Sequence, residues 1–191
     1  MLTKEQILDA AEEVLRRFGP RKTTVVDVAR VLNVSHGTVY RHFASKADLH
    51  EAIIQRWLER VTAPLTDVTK AKSKADKRLR SWFETLIDIK KRKVKDAPEM
   101  FESYVELAKN TPEHLKFQHI GKLLQQIESI LIEGVQDGVF AIEDTSATAR
   151  SFFFGTVRYH HPLHANEWGD EHIKEDFDQQ FSLMLKAIAK S

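Results

Sequence analysis

The 191-residue chain contains no cysteine. That excludes disulfides, thiolate nucleophiles and cysteine-ligated metals, and it fits a reducing cytoplasm as the place of work. Glycine and proline are scarce, at seven and five residues. There is accordingly no glycine-rich loop to cradle phosphates, and few enforced breaks in regular structure. No run is long and apolar enough to span a membrane, so no membrane partner is expected. The opening MLTKEQILDA lacks the apolar centre of a secretion signal and reads directly into a helix. HExxH and a serine nucleophile elbow are also missing, and the histidines and carboxylates have no spacing suited to paired acid–base work. Neither an enzyme nor a bound cofactor or metal is expected.

The net charge of +1 says little, but its distribution says more. Between Arg16 and Lys46 stand seven basic residues and one acid, Asp27. A second basic excess follows from Lys70 to Lys95, and acids outnumber bases from Glu128 onward. A basic front and an acidic rear suit a protein that turns one end toward a polyanion.

Apolar residues recur at three- and four-residue spacing almost throughout, which predicts an all-α fold of about nine helices. The first is expected from the cap Thr3, with Gln6 three residues on, to a stop at Gly19-Pro20. Two short helices are expected near 25–32 and 36–43, and a longer one near 46–61 that ends before Pro64. The remainder predicts helices near 75–95, from Pro98, from Thr111-Pro112 to Gly138, from Asp144 to His164, and from Asp170 to Ala189. A boundary is expected in or just after the fourth helix, which would connect a three-helix domain at 1–48 to a helical bundle at 62–191.

Chemistry concentrates in TTVVDVARVLNVSHGTVYRHFASKADL, residues 23–49. Thr24 is placed to cap a helix whose buried stripe is Val25, Val28, Ala29 and Leu32. Asn33 sits where the chain must turn sharply, and Asn tolerates the left-handed conformation. Val34 plugs the turn and Ser35 caps the next helix, which buries Val39 and Phe43. Its other face carries His36, Gly37, Thr38, Tyr40, Arg41 and His42, with no acid. A tight two-helix unit whose second helix presents donors has the geometry that enters a DNA major groove. Gly37 permits close backbone approach, and the Arg41 fork matches guanine O6 and N7. His36 and Thr38 suit base edges or a thymine methyl, whereas Tyr40, His42 and Lys46 suit phosphates. With Thr24 these form the expected DNA-binding set.

The segment resembles the DNA-binding domain of the TetR family of transcription regulators. The matching positions are Thr24, Val25, Asp27, Val28, Ala29, Val34, Ser35, Gly37, Thr38, Val39, Tyr40, His42, Phe43, Lys46 and Leu49. The departure is Asn33, where the family usually has glycine. The match covers about the first quarter of the chain. It implies a homodimer on a double-stranded operator, packed through its last two helices, most often a repressor released by a small-molecule effector. An activator or ligand-independent regulator of the same fold, and a helical interaction module without DNA binding, remain alternatives.

Apolar surplus near the end gives candidate interface residues Phe152, Phe153, Tyr159, Phe181, Leu183 and Met184, because three consecutive phenylalanines at 152–154 cannot all face one core. Large apolar residues of the middle helices (Trp82, Phe83, Leu86, Met100, Phe101, Tyr104 and Phe117) are candidates for lining an effector pocket, which would favour an apolar or aromatic molecule. His160 and His164, four apart with Glu167 following, have metal-ligand spacing, but Pro162 interrupts the turn between them. The basic run Lys90–Lys95 reads as the solvated end of a helix.

Overall fold

A computed structural model describes residues 2–190. Ten α-helices are found among them: α1 (Lys4–Phe18), α2 (Val25–Val31), α3 (His36–Tyr40), α4 (Lys46–Thr69), α5 (Ala75–Asp96), α6 (Pro98–Lys109), α7 (Glu113–Gln136), α8 (Thr145–Gly155), α9 (Val157–His160) and α10 (Ile173–Ile188). Two 3-10 turns, Pro20–Lys22 and Pro162–Glu167, complete the regular elements, and a single antiparallel bridge joins Phe140 to Ala189. The fold is all-α.

α1 forms as its sequence requires. Thr3 Oγ1 accepts from the Gln6 amide at 3.2 Å, Gln6 Oε1 accepts from the Thr3 amide at 2.9 Å, and Gly19 stops the helix at φ 73°. The buried stripe Ile7, Leu8, Ala11, Val14 and Leu15 supplies its stabilisation, about 1.5–3 kcal/mol for each large side chain.

Two expectations fail for identifiable reasons. α4 does not end before Pro64 but continues to Thr69. The ring removes one backbone donor, yet Val61 and Leu65, three residues before and one after it, are fully buried, and that burial offsets the loss. The expected helix from Asp144 to His164 breaks at Gly155-Thr156. There the buried Thr156 hydroxyl donates to the Phe152 carbonyl at 2.8 Å, after which one turn of α9 runs into the 3-10 turn begun by Pro162. These breaks raise the helix number above the expected nine.

The chain divides into two compact units. The first comprises residues 1–59 and 96–116, the second residues 60–95 and 117–191. The first is therefore larger than a three-helix domain. α6 belongs to it because Tyr104 stacks on Trp57 of α4, with ring centroids 5.0 Å apart and planes 14° from parallel, and because Leu107 joins the same core. The second unit buries a separate core around Leu79, Trp82, Phe83, Ile127, Leu131, Phe152 and Phe181.

Candidate nucleic-acid interface

The α2–α3 pair is held by its caps and its turn. Thr24 Oγ1 accepts from the Asp27 amide at 3.2 Å and donates to Asp27 Oδ2 at 2.5 Å, and Asp27 Oδ1 accepts from Arg30 at 3.2 Å. Thr24 thus fixes the start of α2. Asn33 adopts φ 53°, alone among the described non-glycine residues in having a positive φ. The turn is closed by Val34 N–H donating to the Ala29 carbonyl at 3.0 Å. Ser35 Oγ then accepts from the Thr38 amide at 3.3 Å and lies 2.9 Å from Thr38 Oγ1, which caps α3.

Val39 and Phe43 are buried, so the rest of the segment turns outward. His36, Gly37, Tyr40, Arg41, His42 and Lys46 are exposed, and Thr24 and Thr38 are half-buried. The exposed surface from Ser35 to Lys46 contains no acid. It offers hydroxyl, imidazole, guanidinium and ammonium donors on a short helix held rigidly from beneath, which is a surface suited to a polyanion groove.

The start of α4 adds to this surface. Ser45 Oγ accepts from the Asp48 amide at 3.1 Å, and Lys46 Nζ donates to the Arg21 carbonyl at 2.9 Å, holding the ammonium beside the helix start. Two residues here escaped sequence reasoning. His50 Nε2 donates to the Thr23 carbonyl at 2.7 Å, joining α4 to the segment before α2, and burial pushes its pKa below the ordinary value. Arg56 faces Glu5, Asp9 and Glu12 of α1, which fixes α1 against α4. The spacing of those three acids, on one face of α1, was the available signal. A cleft of about 510 Å³ in this unit is lined by Arg21, Lys46, His50, Glu106 and Leu107, among others.

Comparison with known proteins supplies the deciding observation. Residues 7–53 match the family described as "Bacterial regulatory proteins, tetR family", and residues 75–179 match "Tetracyclin repressor-like, C-terminal domain". The chain belongs to the TetR family. Within it, the chain is similar to the fatty acid metabolism regulator protein of Bacillus subtilis, at 28% identity over 156 residues, which is 80% of this chain and 78% of that protein. Over 52 residues, 27% of this chain and 25% of the relative, it is 38% identical to the transcriptional regulator TtgR of Pseudomonas putida. The fold is that of SmeT, repressor of the Stenotrophomonas maltophilia multidrug efflux pump SmeDEF, with a TM-score of 0.70 at 22% identity over 100% of this chain and 92% of that one. As a TetR-family member the chain is a DNA-binding transcription regulator, and α2–α3 is its helix-turn-helix.

The second unit of this TetR-family chain treats the remaining expectations unevenly. Of the six candidate interface residues, Phe152, Phe153, Tyr159 and Phe181 are buried in the unit's own core. Those four cannot face a partner without unpacking it. Leu183, 70% exposed, and the half-buried Met184 remain on the surface, where Phe154 is 46% exposed. α8 and α10 meet closely at Gly155, where a β-carbon would stand 3.3 Å from Met184 Cε.

The seven candidate pocket residues are divided between the two units. Trp82, Phe83 and Leu86 are core of the second unit, Met100, Phe101 and Tyr104 lie in the first, and Phe117 is 68% exposed. Trp82 does anchor a polar chain: its Nε1 donates to Gln126 Oε1 at 3.0 Å, and Gln126 Nε2 donates to Thr66 Oγ1 at 2.9 Å. A second-unit cleft of about 340 Å³ is lined by Ile87, Asp88, Tyr159, Phe177 and Asp178, among others, and by none of the seven.

The histidines also separate. His160 is buried, with Nε2 donating to the Phe153 carbonyl at 3.2 Å, whereas His164 Nδ1 meets Glu167 at 2.6 Å. No group of three or more potential ligands for a metal occurs among the described residues, and no helix there is long and apolar enough to cross a membrane. The run Lys90–Lys95 is not wholly solvated, because Lys90 is buried.

Proposed function

We propose that the chain is a homodimeric repressor that leaves its operator when a small apolar or aromatic molecule binds the C-terminal unit. The observation that carries this reading is the acid-free donor surface of α3, held rigid by Val39 and Phe43. Arg41 reads guanine, and His36 and Thr38 meet base edges beside Gly37, where the backbone approaches closely. Tyr40, His42, Lys46 and the α2 start at Thr24 hold phosphates.

Dimerisation uses α8 and α10 through Phe154, Leu183 and Met184. Two recognition helices then meet half-sites about 34 Å apart, one turn of DNA, or a multiple of it. Residues 1–48 do the reading, the first part of α4 connects, and residues 62–191 carry dimerisation and effector control. The working compartment is the cytoplasm, where DNA is accessible. Repression and effector control draw support from SmeT, described as a repressor and studied as a triclosan complex. The test is a gel shift on the chain's own upstream DNA across a salt series, with sedimentation to define the bound species. A sequence-selective dimer with steeply salt-dependent affinity is expected. Salt-insensitive binding, or no binding to any DNA offered from a random pool, would overturn the reading.

A further inference from the structure

The cleft of the first unit, about 510 Å³, has the volume of a small-molecule site. Its lining comes wholly from that unit: the turn Pro20–Lys22, the first part of α4, and the end of α6 with the residues just after it. Pro20, Ala47, Leu107 and Pro112 give it apolar wall. The polar lining divides by what each group is already doing.

The donors are committed or turned to solvent. Lys46 Nζ donates to the Arg21 carbonyl at 2.9 Å, and the Thr111 hydroxyl donates to the Leu107 carbonyl at 3.2 Å. The Arg21 side chain is 93% exposed, so water and salt screen its charge at the mouth. The acceptors are left open. Arg21 Nε comes no closer than 4.0 Å to Glu106 Oε1, too far for a hydrogen bond. The half-buried Glu51 has no ion-pair or hydrogen-bond partner among the described residues. His50 Nε2 donates to the Thr23 carbonyl at 2.7 Å and burial keeps the ring neutral, which makes its Nδ1 an acceptor. Apolar wall beside two uncommitted carboxylates and a neutral imidazole is complementary to a positively charged donor.

We infer that this cleft binds a small organic cation, an amidinium or primary ammonium on a flat apolar body. Its N–H donors meet Glu51 and Glu106, and its body lies against Pro20, Leu107 and Pro112. The site belongs to the DNA-binding unit and does not depend on effector control through the C-terminal unit. Its consequence for DNA does rest on the reading above in which Lys46 holds phosphate. A cation bound beside that ammonium adds positive charge to the DNA-facing surface. Ligand and operator therefore strengthen one another, each by the same factor.

The test is calorimetry on the full chain with three molecules of one shape: naphthamidinium, neutral naphthamide and anionic naphthoate. Naphthamidinium is expected to bind about ten- to a hundredfold more tightly than naphthamide, the worth of a charge-assisted contact, with naphthoate weakest. Glu51→Gln and Glu106→Gln should each remove most of that advantage. Glu59→Gln, exposed on the same helix as Glu51 but outside the cleft, should preserve it. Thermal melting of each variant confirms that it is folded. Equal affinity for the neutral amide, tighter binding of naphthoate, or no binding of the amidinium would each overturn the inference. So would selectivity unaltered in both cleft variants, which would place the cation elsewhere. A saturating fragment selected from random DNA should tighten naphthamidinium binding about two- to tenfold. Selective amidinium binding that DNA leaves unchanged would contradict the phosphate role of Lys46 and leave the cleft assigned to a cation.

Discussion

The Val34 amide donates to the Ala29 carbonyl at 3.0 Å, and the chain can make this bond only because Asn33 between them takes φ 53°. Asn is less strained in that conformation than other side chains, and glycine is not strained at all. Asn33→Gly should therefore keep or raise stability by up to about 1 kcal/mol, while Asn33→Val should lower it by about 1–2 kcal/mol. Urea titrations of both variants measure this, and equal stability for the two would show that the turn is not strained.

Arg41 and Lys46 are both exposed and basic, yet they should fail differently. Arg41→Ala should relax the selected sequence at one position of each half-site, at about 1–3 kcal/mol. Lys46→Ala should weaken all sequences alike and reduce the salt slope by about 1 for each half-site. Selection from a random pool, followed by titration at several salt concentrations, separates the two. Uniform weakening by Arg41→Ala would reassign it to phosphate.

Leu183→Glu places a charge on a side chain that is 70% exposed in the single subunit. Its cost to the subunit's own fold should stay within about 0.5 kcal/mol. On the proposed dimer, sedimentation should nevertheless show wild type as a dimer and Leu183→Glu as a monomer, with operator affinity falling in parallel. Phe181→Glu should instead unfold the unit, since Phe181 is fully buried. A dimer that survives both Leu183→Glu and Phe154→Glu would move the interface elsewhere.

His119 and His160 make stability fall with acid. Burial lowers their folded pKa values to about 4 and about 3, whereas the unfolded chain protonates them near 6.5. The unfolded state thus binds more protons below 6.5, so stability is complete above that pH and declines as pH falls toward 4. Each group contributes a slope of up to about 1.4 kcal/mol per pH unit there. Denaturation between pH 7 and 4.5 should show a shallower decline in His160→Leu, and an unchanged slope would place His160 in contact with water.

What could be read in advance was local. The capping box of α1, the left-handed Asn33 and the outward face of α3 depend on neighbours within five residues, and each appears in the structure where local chemistry puts it. What could not be read depends on distant partners. Pro64 looks like a terminator until Val61 and Leu65 are seen buried in a core built mainly from α5, α7, α8 and α10. Three consecutive phenylalanines announce that one must face outward, but only packing against Phe83 and Phe181 decides that it is Phe154. Met100 and Tyr104 look like companions of Trp82 because they are similar in kind, yet stacking on Trp57 assigns Tyr104 to the first unit. His50 and Arg56 carry no motif and acquire their roles from residues 27 and 44 to 51 positions away.

The central claim is that α3 brings an acid-free donor surface to DNA. Its most direct test is the affinity of the full chain for a fragment selected from random DNA, compared with the Tyr40→Ala/Arg41→Ala double variant across a salt series. Wild type should lose affinity with a log–log slope of about 0.9 per phosphate contact. The folded double variant should bind at least about a hundredfold more weakly, with no preference for the selected sequence. A double variant that binds the selected fragment as tightly and as selectively as wild type would show that another surface reads the DNA.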